Sequence, residues 1–189
     1  MLSIFENGVK TMEYYKVLLQ RDIEKYDFTA ELKDKNIKYF TGNKRGSLAI
    51  IYNPEKYNRF LKDDNVFEKY QLSSIKQLIL TNQKFEFLNK TNNLKFLKLS
   101  DFKIDEEYED IKKEIWELEE LNINEKINIL INEYEVSIKE YIYRTHEQKR
   151  MVKILKNGVV GVDQEIIKNE LSIVKHLIDI LNYGNEATL

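Results

Sequence analysis

The stretch TGNKRGSLAIIYNPEKY, residues 41–57, carries local signals for a turn, a strand and the start of a helix. Gly42 and Gly46 bracket two cations, which is typical of a tight turn between strands. The run SLAIIYN that follows is apolar and partly β-branched, as in a buried strand. Pro54 suits the first turn of a helix, and Asn53 before it is a favourable N-cap. The stretch therefore predicts a hairpin turn, a strand over 47–53 and a helix from Pro54.

The flanking segments extend this unit in both directions. EYYKVLLQ (13–20), IKYFT (37–41) and IKQLILT (75–81) are rich in aromatic and aliphatic residues, which predicts three more strands. Apolar residues at helical spacing predict a helix within 21–36. The resulting order, β-α-β-β-α-β, is that of a ferredoxin-like module. The alternative for the first segment is that residues 3–35 are mostly helical.

A further pair of strands is predicted after this module. In KFEFLNKTNNLKFLKL (84–99), apolar residues alternate with polar ones on both sides of an Asn-rich break. Period two with such a break is typical of a hairpin. We therefore expect an α+β fold with a basic module over 1–103 that includes this extra hairpin.

The remainder of the chain predicts helices. Asp105 suits an N-cap, and Asn122 with Glu125 resembles a capping box. A heptad seam predicts one long helix from there toward Lys156; it comprises Ile127, Ile131, Tyr134, Ile138, Tyr141 and Thr145. NGVVGVD (157–163) predicts a turn, and a second seam follows from Ile167 to Leu181. Residues 104–189 are thus predicted to form an antiparallel helical hairpin or three-helix bundle.

The glycine-bracketed turn invites comparison with two phosphate-binding patterns. A P-loop requires a lysine directly after its second glycine, whereas Ser47 follows Gly46 here, so we reject it. RGSLAIIY resembles the third-strand motif of the RNA-recognition motif, which would imply stacking of bases on the sheet. Ser47 and Ala49 occupy its two stacking positions, so the aromatic platform is missing.

Charge divides the chain unevenly. Residues 1–100 hold 18 Lys and Arg against 12 Asp and Glu, a net +6, and residues 101–189 hold 12 against 20, a net −8. A basic half indicates a polyanionic or acidic partner. The cations proposed to contact a partner or phosphate are Lys44, Arg45, Lys90, Lys95, Lys98, Arg144, Lys149 and Arg150. The proposed acidic docking face consists of Glu109, Asp110, Glu114, Glu117 and Trp116.

No catalytic, cofactor or metal site is predicted. The chain has no cysteine, and His146 and His176 lie far apart without metal-ligand spacing. No apolar run approaches the ~18 residues of a membrane span, and the N-terminus does not resemble a signal peptide. A cytoplasmic protein without a membrane partner is expected.

These features favour a non-enzymatic macromolecule-binding protein that docks on a protein or a protein–nucleic acid complex as a regulator, inhibitor or adaptor. Abundant Asn, Lys, Ile and Tyr suggest AT-rich coding DNA, so an inhibitor encoded by a phage or mobile element, anti-CRISPR-like, is one example of this class. The alternative is a DNA- or RNA-binding regulator, with the basic module on phosphate and the helices as a dimerisation element. The helical seams could close within one chain or against a second copy, so a homodimer is left open.

Overall fold

The computed structural model describes residues 11–21, 23–24, 27–62, 75–90, 97–146 and 149–182. These residues form eight strands and seven helices. The strands are β1 Met12–Gln20, β2 Tyr39–Thr41, β3 Ser47–Ile51, β4 Ile75–Gln77, β5 Leu97–Lys103, β6 Glu140–Thr145, β7 Met151–Leu155 and β8 Val159–Asp163. The helices are α1 Phe28–Asp34, α2 Pro54–Lys62, α3 Asn82–Lys90, α4 Glu109–Trp116, α5 Ile123–Glu133, α6 Gln164–Asn169 and α7 Leu171–Asn182, with a 3₁₀ turn at Glu106–Tyr108 before α4.

All eight strands belong to one antiparallel sheet. The strand order is β2-β3-β1-β8-β7-β6-β5. One edge of β1 pairs with β3, while its other edge pairs first with β8 and then, near Gln20, with the short β4. Because β1 joins β3 to β8, strands from both halves of the sequence form a continuous α+β sheet.

The two faces of the sheet bury different apolar sets. On the first face, inward residues of β1 and β5–β8 pack beneath α7 and beside α4 and α5 in the main core. On the second face, a smaller cluster packs α1 and α2 against β1 and β3. Successive side chains of a strand point to alternate faces of the sheet. In β6, Tyr141 and Tyr143 therefore lie in the main core, while Arg144 lies on the second face.

The ferredoxin-like prediction is wrong, although the α+β class is right. Strands are present at 12–20, 39–41, 47–51 and 75–77, close to the predicted segments. Their order differs, because β8 from the end of the chain occupies the position beside β1. Neither half of the chain contains the local signal that fixes this long-range pairing.

The helical hairpin or bundle predicted for 104–189 is also wrong. The capping box forms as predicted, with Glu125 N donating to Asn122 Oδ1 at 3.2 Å and Asn122 N donating to Glu125 Oε2 at 2.8 Å. The helix ends at Glu133, however, and Glu135 adopts a left-handed φ of 53°. Three strands, β6–β8, then occupy the segment that was assigned to the long helix and the turn. The long seam therefore does not exist, and it supports no coiled-coil dimer.

The extra hairpin predicted around the Asn-rich break is wrong as well. Residues 82–90 form α3, in which Phe85 and Leu88, three residues apart, enter the core while Phe87 is exposed. Leu97–Lys103 does form a strand, but its partner is β6. Leu94 and Phe96 lie outside the described residues.

Candidate anion-binding cleft

An open cleft of about 850 Å³ lies where β5, the β6–β7 connection and the start of α5 meet. Among the residues that the structure describes, its lining holds two lysines, an arginine and a histidine, and no carboxylate. The lining residues are Lys98, Leu99, Ser100, Asn122, Ile123, Arg144, Thr145, His146 and Lys149. Concentrated positive charge in a concave site attracts anions.

Strand pairing brings the two central cations together. Lys98 of β5 lies directly opposite Arg144 of β6, so their side chains project from the second face of the sheet as a cross-strand pair. Like charges in this position repel each other. An anion placed between them removes that repulsion, because it gives both cations a partner.

The third cation comes from the connection between β6 and β7. Arg144 Nη1 donates to the Lys149 carbonyl at 3.4 Å, and Lys149 has a left-handed φ of 50°. Two hydrogen bonds join Thr145 to Arg150: Thr145 N donates to Arg150 O at 2.9 Å, and Arg150 N donates to the Thr145 side-chain Oγ1 at 3.1 Å. These bonds and the contact from Arg144 hold Lys149 near Arg144.

The N-terminus of α5 also lines the cleft, through Asn122 and Ile123. Asn122 caps this helix by accepting hydrogen bonds from Asn124 N at 3.0 Å and Glu125 N at 3.2 Å. The N-terminal end of a helix carries a partial positive charge. The start of α5 lies on the first face of the sheet, whereas the side chains of Lys98 and Arg144 project from the second face. Ile123 supplies apolar surface beside it.

Of the other predicted cations, Arg150 forms contacts away from the cleft. Arg150 Nη1 forms an ion pair with Glu170 Oε1 at 2.9 Å and also donates to the Glu165 carbonyl, so it fastens β7 to the α6–α7 corner. Lys95 lies outside the described residues, and the side chain of Lys90 at the end of α3 is likewise outside the description.

The glycine-bracketed turn holds an anion that belongs to the protein itself. Asp179 of α7 is 5% exposed, and its carboxylate accepts hydrogen bonds from Asn43 N at 2.8 Å and Lys44 N at 3.0 Å. The guanidinium of Arg45 lies 3.4 Å from Glu24 at the surface. Because its amides already bind Asp179, this turn serves to dock α7 on the sheet.

The proposed acidic face follows α4. Glu109 and Asp110 occupy its first turn, where acids suit the helix dipole, and Glu114 and Glu117 are exposed. Trp116 is 37% exposed, and its ring packs edge-on against Phe102 with centroids 5.5 Å apart. Its other contact is cationic: Lys126 Nζ lies 5.2 Å from the ring centroid, which anchors the indole at the surface.

A buried amine lies elsewhere, at the point where β1 changes partners. Lys16 is 5% exposed, and its Nζ donates to the carbonyls of Leu78 and Asn157. Burial lowers the pKa of Lys16 to about 8. Because both acceptors belong to loops beside β4 and β8, this lysine ties those loops to the sheet.

In the part of the chain that the structure describes, no three His, Asp or Glu side chains are grouped as metal ligands would be. Within the same ranges, every helix is too short or too polar to cross a bilayer.

Sequence reasoning identified three cleft cations and missed the other six lining residues. Leu99, Ser100, Thr145 and His146 line the cleft because β5 pairs with β6, and residues 140–145 were assigned to a helix. The alternation of aromatic and other residues in EYIYRT was the available signal for a strand. Asn122 was recognised as a cap, but nothing local places it beside Arg144.

Comparison with known proteins adds no assignment: the sequence matches no protein-family model, no curated protein and no solved structure. Function is therefore inferred from geometry and charge.

Proposed function

We propose that this protein is a non-catalytic nucleic-acid-binding protein whose cleft holds phosphate, either of free nucleic acid or of a protein–nucleic acid complex. The observation that carries the proposal is that Lys98, Arg144 and Lys149 all line one cleft, with no carboxylate among the described residues of its lining. Phosphate contacts from Lys and Arg dominate the affinity of such proteins.

Salt dependence is the quantitative signature of this binding. Each phosphate neutralised on a single strand contributes about −0.7 to the slope of log K against log salt, so three contacts give a slope of about −2. Removing two of the three cations should bring the slope to about −0.7. A ligand held by apolar contacts alone would show little dependence on salt.

The test compares two double charge reversals. Fluorescence anisotropy measures the binding of a labelled 20-nucleotide strand between 50 and 200 mM salt for the wild type, Lys98→Glu/Arg144→Glu, and the control Lys56→Glu/Arg59→Glu. The control changes the formal charge equally, on exposed positions of α2. We expect the cleft variant to lose at least tenfold in affinity, and the control to change by less than threefold.

Two results would refute the proposal. One is a wild-type protein that does not bind nucleic acid at 50 mM salt. The other is an equal loss of affinity in both variants, because that would assign the binding to net charge and not to the cleft. Circular dichroism and urea unfolding of both variants establish that they remain folded.

A second candidate function is docking on a basic protein through the end of α4. Trp116 and Leu118 are 37% and 48% exposed and lie among Glu114, Glu117, Glu119 and Glu120. An exposed tryptophan surrounded by acids is suited to anchor a cationic partner. A pull-down from host lysate after nuclease treatment tests this. If this candidate is right, the wild type retains a bound protein and the variant Trp116→Ser/Leu118→Ser does not.

A further inference from the structure

We infer that the ligand is a single-stranded nucleic acid that runs from the cleft across the second face of the sheet and stacks a base on Tyr14 of β1. This inference rests on the proposed function and specifies its ligand and its path. It is carried by the register of the strands, which places an aromatic ring and a group of cations on the same face.

In the part of the chain that the structure describes, no helix covers the second face over β5–β8. Helices α3–α7 contribute their buried residues to the main core on the first face, whereas α1 and α2 cover the second face at β1, β3 and β4. Four apolar side chains of β1 and β7 on the second face belong to neither cluster and are half-buried: Met12, Tyr14, Met151 and Leu155. This part of the sheet is therefore accessible to a ligand.

Tyr14 supplies an aromatic ring on this face. Its neighbour Tyr15 enters the main core, so Tyr14 points to the opposite side of β1. Tyr14 is paired with Gly161 of β8, and a Cβ added at Gly161 would lie 2.8 Å from Tyr14 Cε1. The ring thus leans over β8, where a glycine leaves room for it. Aromatic rings displayed on a sheet stack unpaired bases, whereas the bases of a continuous duplex are already stacked on one another.

Cations follow on the same face, in the direction of the cleft. Lys153 of β7 is in register with Gly161, and Arg144 of β6 is in register with Lys98 of β5. With about 4.8 Å between neighbouring strands, β7 lies about 10 Å from Tyr14 and β6 about 14 Å. A few nucleotides of a single strand can span this distance, with phosphates at the cations and a base at the ring.

The accessible carboxylates that the structure describes on this face do not neutralise its cations. Glu140 is shared by two lysines, since its Oε1 lies 3.6 Å from Lys103 Nζ and 3.5 Å from Lys153 Nζ. Asp101 has a lysine of its own, Lys112 at 3.6 Å. Three lysines therefore accompany two carboxylates, and the two central cations of the cleft add to the surplus. A positive surface of this kind is complementary to a phosphate backbone.

Fluorescence anisotropy at 100 mM salt compares a 12-nucleotide oligothymidine with a closed 12-base-pair hairpin duplex. We expect the oligothymidine to bind at least fivefold more tightly. Tyr14→Leu keeps an apolar side chain over Gly161 but removes the ring, so it should weaken oligothymidine binding at least fivefold and duplex binding less than twofold. Tyr14→Phe keeps the ring and should leave both affinities within twofold of the wild type. Tyr134→Leu is the matched control, because Tyr134 is exposed directly after α5, which packs on the first face; it should change neither affinity by more than twofold.

Photo-cross-linking provides a readout that needs no variant. An oligothymidine that carries 5-iodouracil, irradiated in complex with the wild type, should attach to Tyr14, as identified by mass spectrometry of the peptides. If Tyr14→Leu does not fold, this cross-link and the comparison of oligothymidine with duplex decide alone.

The outcomes separate the two proposals. Duplex binding as tight as oligothymidine binding, equal affinities of Tyr14→Leu and Tyr14→Phe, or cross-links confined to residues outside β1 would each overturn this inference. In any of these cases the proposed function stands if Lys98→Glu/Arg144→Glu still abolishes binding. If neither nucleic acid binds, both proposals fail.

Discussion

Replacing Asp179 by alanine should destabilise the protein strongly, although this residue lies on the last helix and outside the proposed site. Its buried carboxylate accepts two hydrogen bonds from the turn between β2 and β3, from Asn43 N at 2.8 Å and Lys44 N at 3.0 Å. The alanine variant loses both hydrogen bonds and leaves two amides of the turn without their acceptor. The same change removes the polar link between α7 and this turn, while the apolar residues of α7 stay packed in the main core.

The magnitude follows from these two contacts. Hydrogen bonds to a charged group contribute about 1.5–3 kcal/mol each, which gives about 3–6 kcal/mol for the pair. Asn43 and Lys44 are exposed, so water can reach their amides in the variant and offset part of this loss. We expect a decrease of about 2–4 kcal/mol in the free energy of unfolding, which corresponds to a fall in Tm of about 5–15 °C for a chain of this size.

Urea unfolding and thermal melting measure the effect. Asp110→Ala is the matched control, because Asp110 also lies on a helix with an ionic partner, Lys113 at 3.1 Å, but its side chain is 92% exposed. It should cost less than about 0.5 kcal/mol. A loss below 1 kcal/mol in Asp179→Ala, or equal losses in the two variants, would show that the turn does not depend on this carboxylate.

A double-mutant cycle tests whether Gly42 and Asp179 are in direct contact. A Cβ added at Gly42 would lie 2.0 Å from Asp179 Oδ1, so Gly42→Ala must displace the carboxylate. In the Asp179→Ala background that clash is absent. We therefore expect the cost of Gly42→Ala to fall by at least about 1 kcal/mol in that background. Strict additivity would mean that the two positions do not interact.

Three further predictions concern the sheet and the cleft wall. Burial lowers the pKa of Lys16 to about 8 in the folded protein, below the pKa of the same lysine in the unfolded chain. Between pH 8 and 10 the unfolded chain therefore binds more protons than the folded protein does. This lysine should therefore add about 2 kcal/mol to the free energy of unfolding as the pH rises from 8 to 10. Lys16→Met should lose that increment, and equal pH slopes in urea titrations of both proteins would contradict it. Gly158→Ala should cost more than about 2 kcal/mol, because φ is +74° and the added Cβ would lie 2.2 Å from the Leu78 carbonyl. Gly161→Ala should cost less, since its nearest atom, 2.8 Å away, belongs to the movable Tyr14 ring; the reverse order in thermal melts would disprove this. Asn122→Ala should cost about 1 kcal/mol through the lost cap. It should also weaken strand binding in anisotropy, whereas Asn53→Ala at the start of α2 should leave binding unchanged.

Local signals in the sequence determined the ends of several elements. Asn53 caps α2 through a 3.1 Å hydrogen bond from Lys56 N, and the Asn122–Glu125 box caps α5, both as expected; Asp163 caps α6. Gly46 and Gly158 take positive φ values in turns. These features succeed because a cap or a turn is satisfied by atoms within a few residues along the chain.

Periodicity failed where one spacing suited two structures. Ile127 and Ile131 lie in a helix, but Ile138 and Tyr141, at the same heptad spacing, follow its end at Glu133 and lie in or before a strand. Phe85 and Phe87 alternate like strand residues, yet they lie in α3. Burial decides such cases, and burial depends on partners far away in sequence.

The sequence by itself therefore determined the α+β class, several caps and turns, and a surplus of cations in its first half; the predicted Asp105 cap forms no side-chain hydrogen bond, and most of the predicted turn at 157–163 is strand β8. Tertiary structure alone decided that β1 pairs with β8 and that β5 pairs with β6. The second pairing sets Lys98 opposite Arg144, which is 46 positions away in the sequence. The physical reason is that strand pairing satisfies backbone hydrogen bonds between distant segments, and their register carries no local signal. The cleft is a consequence of that register.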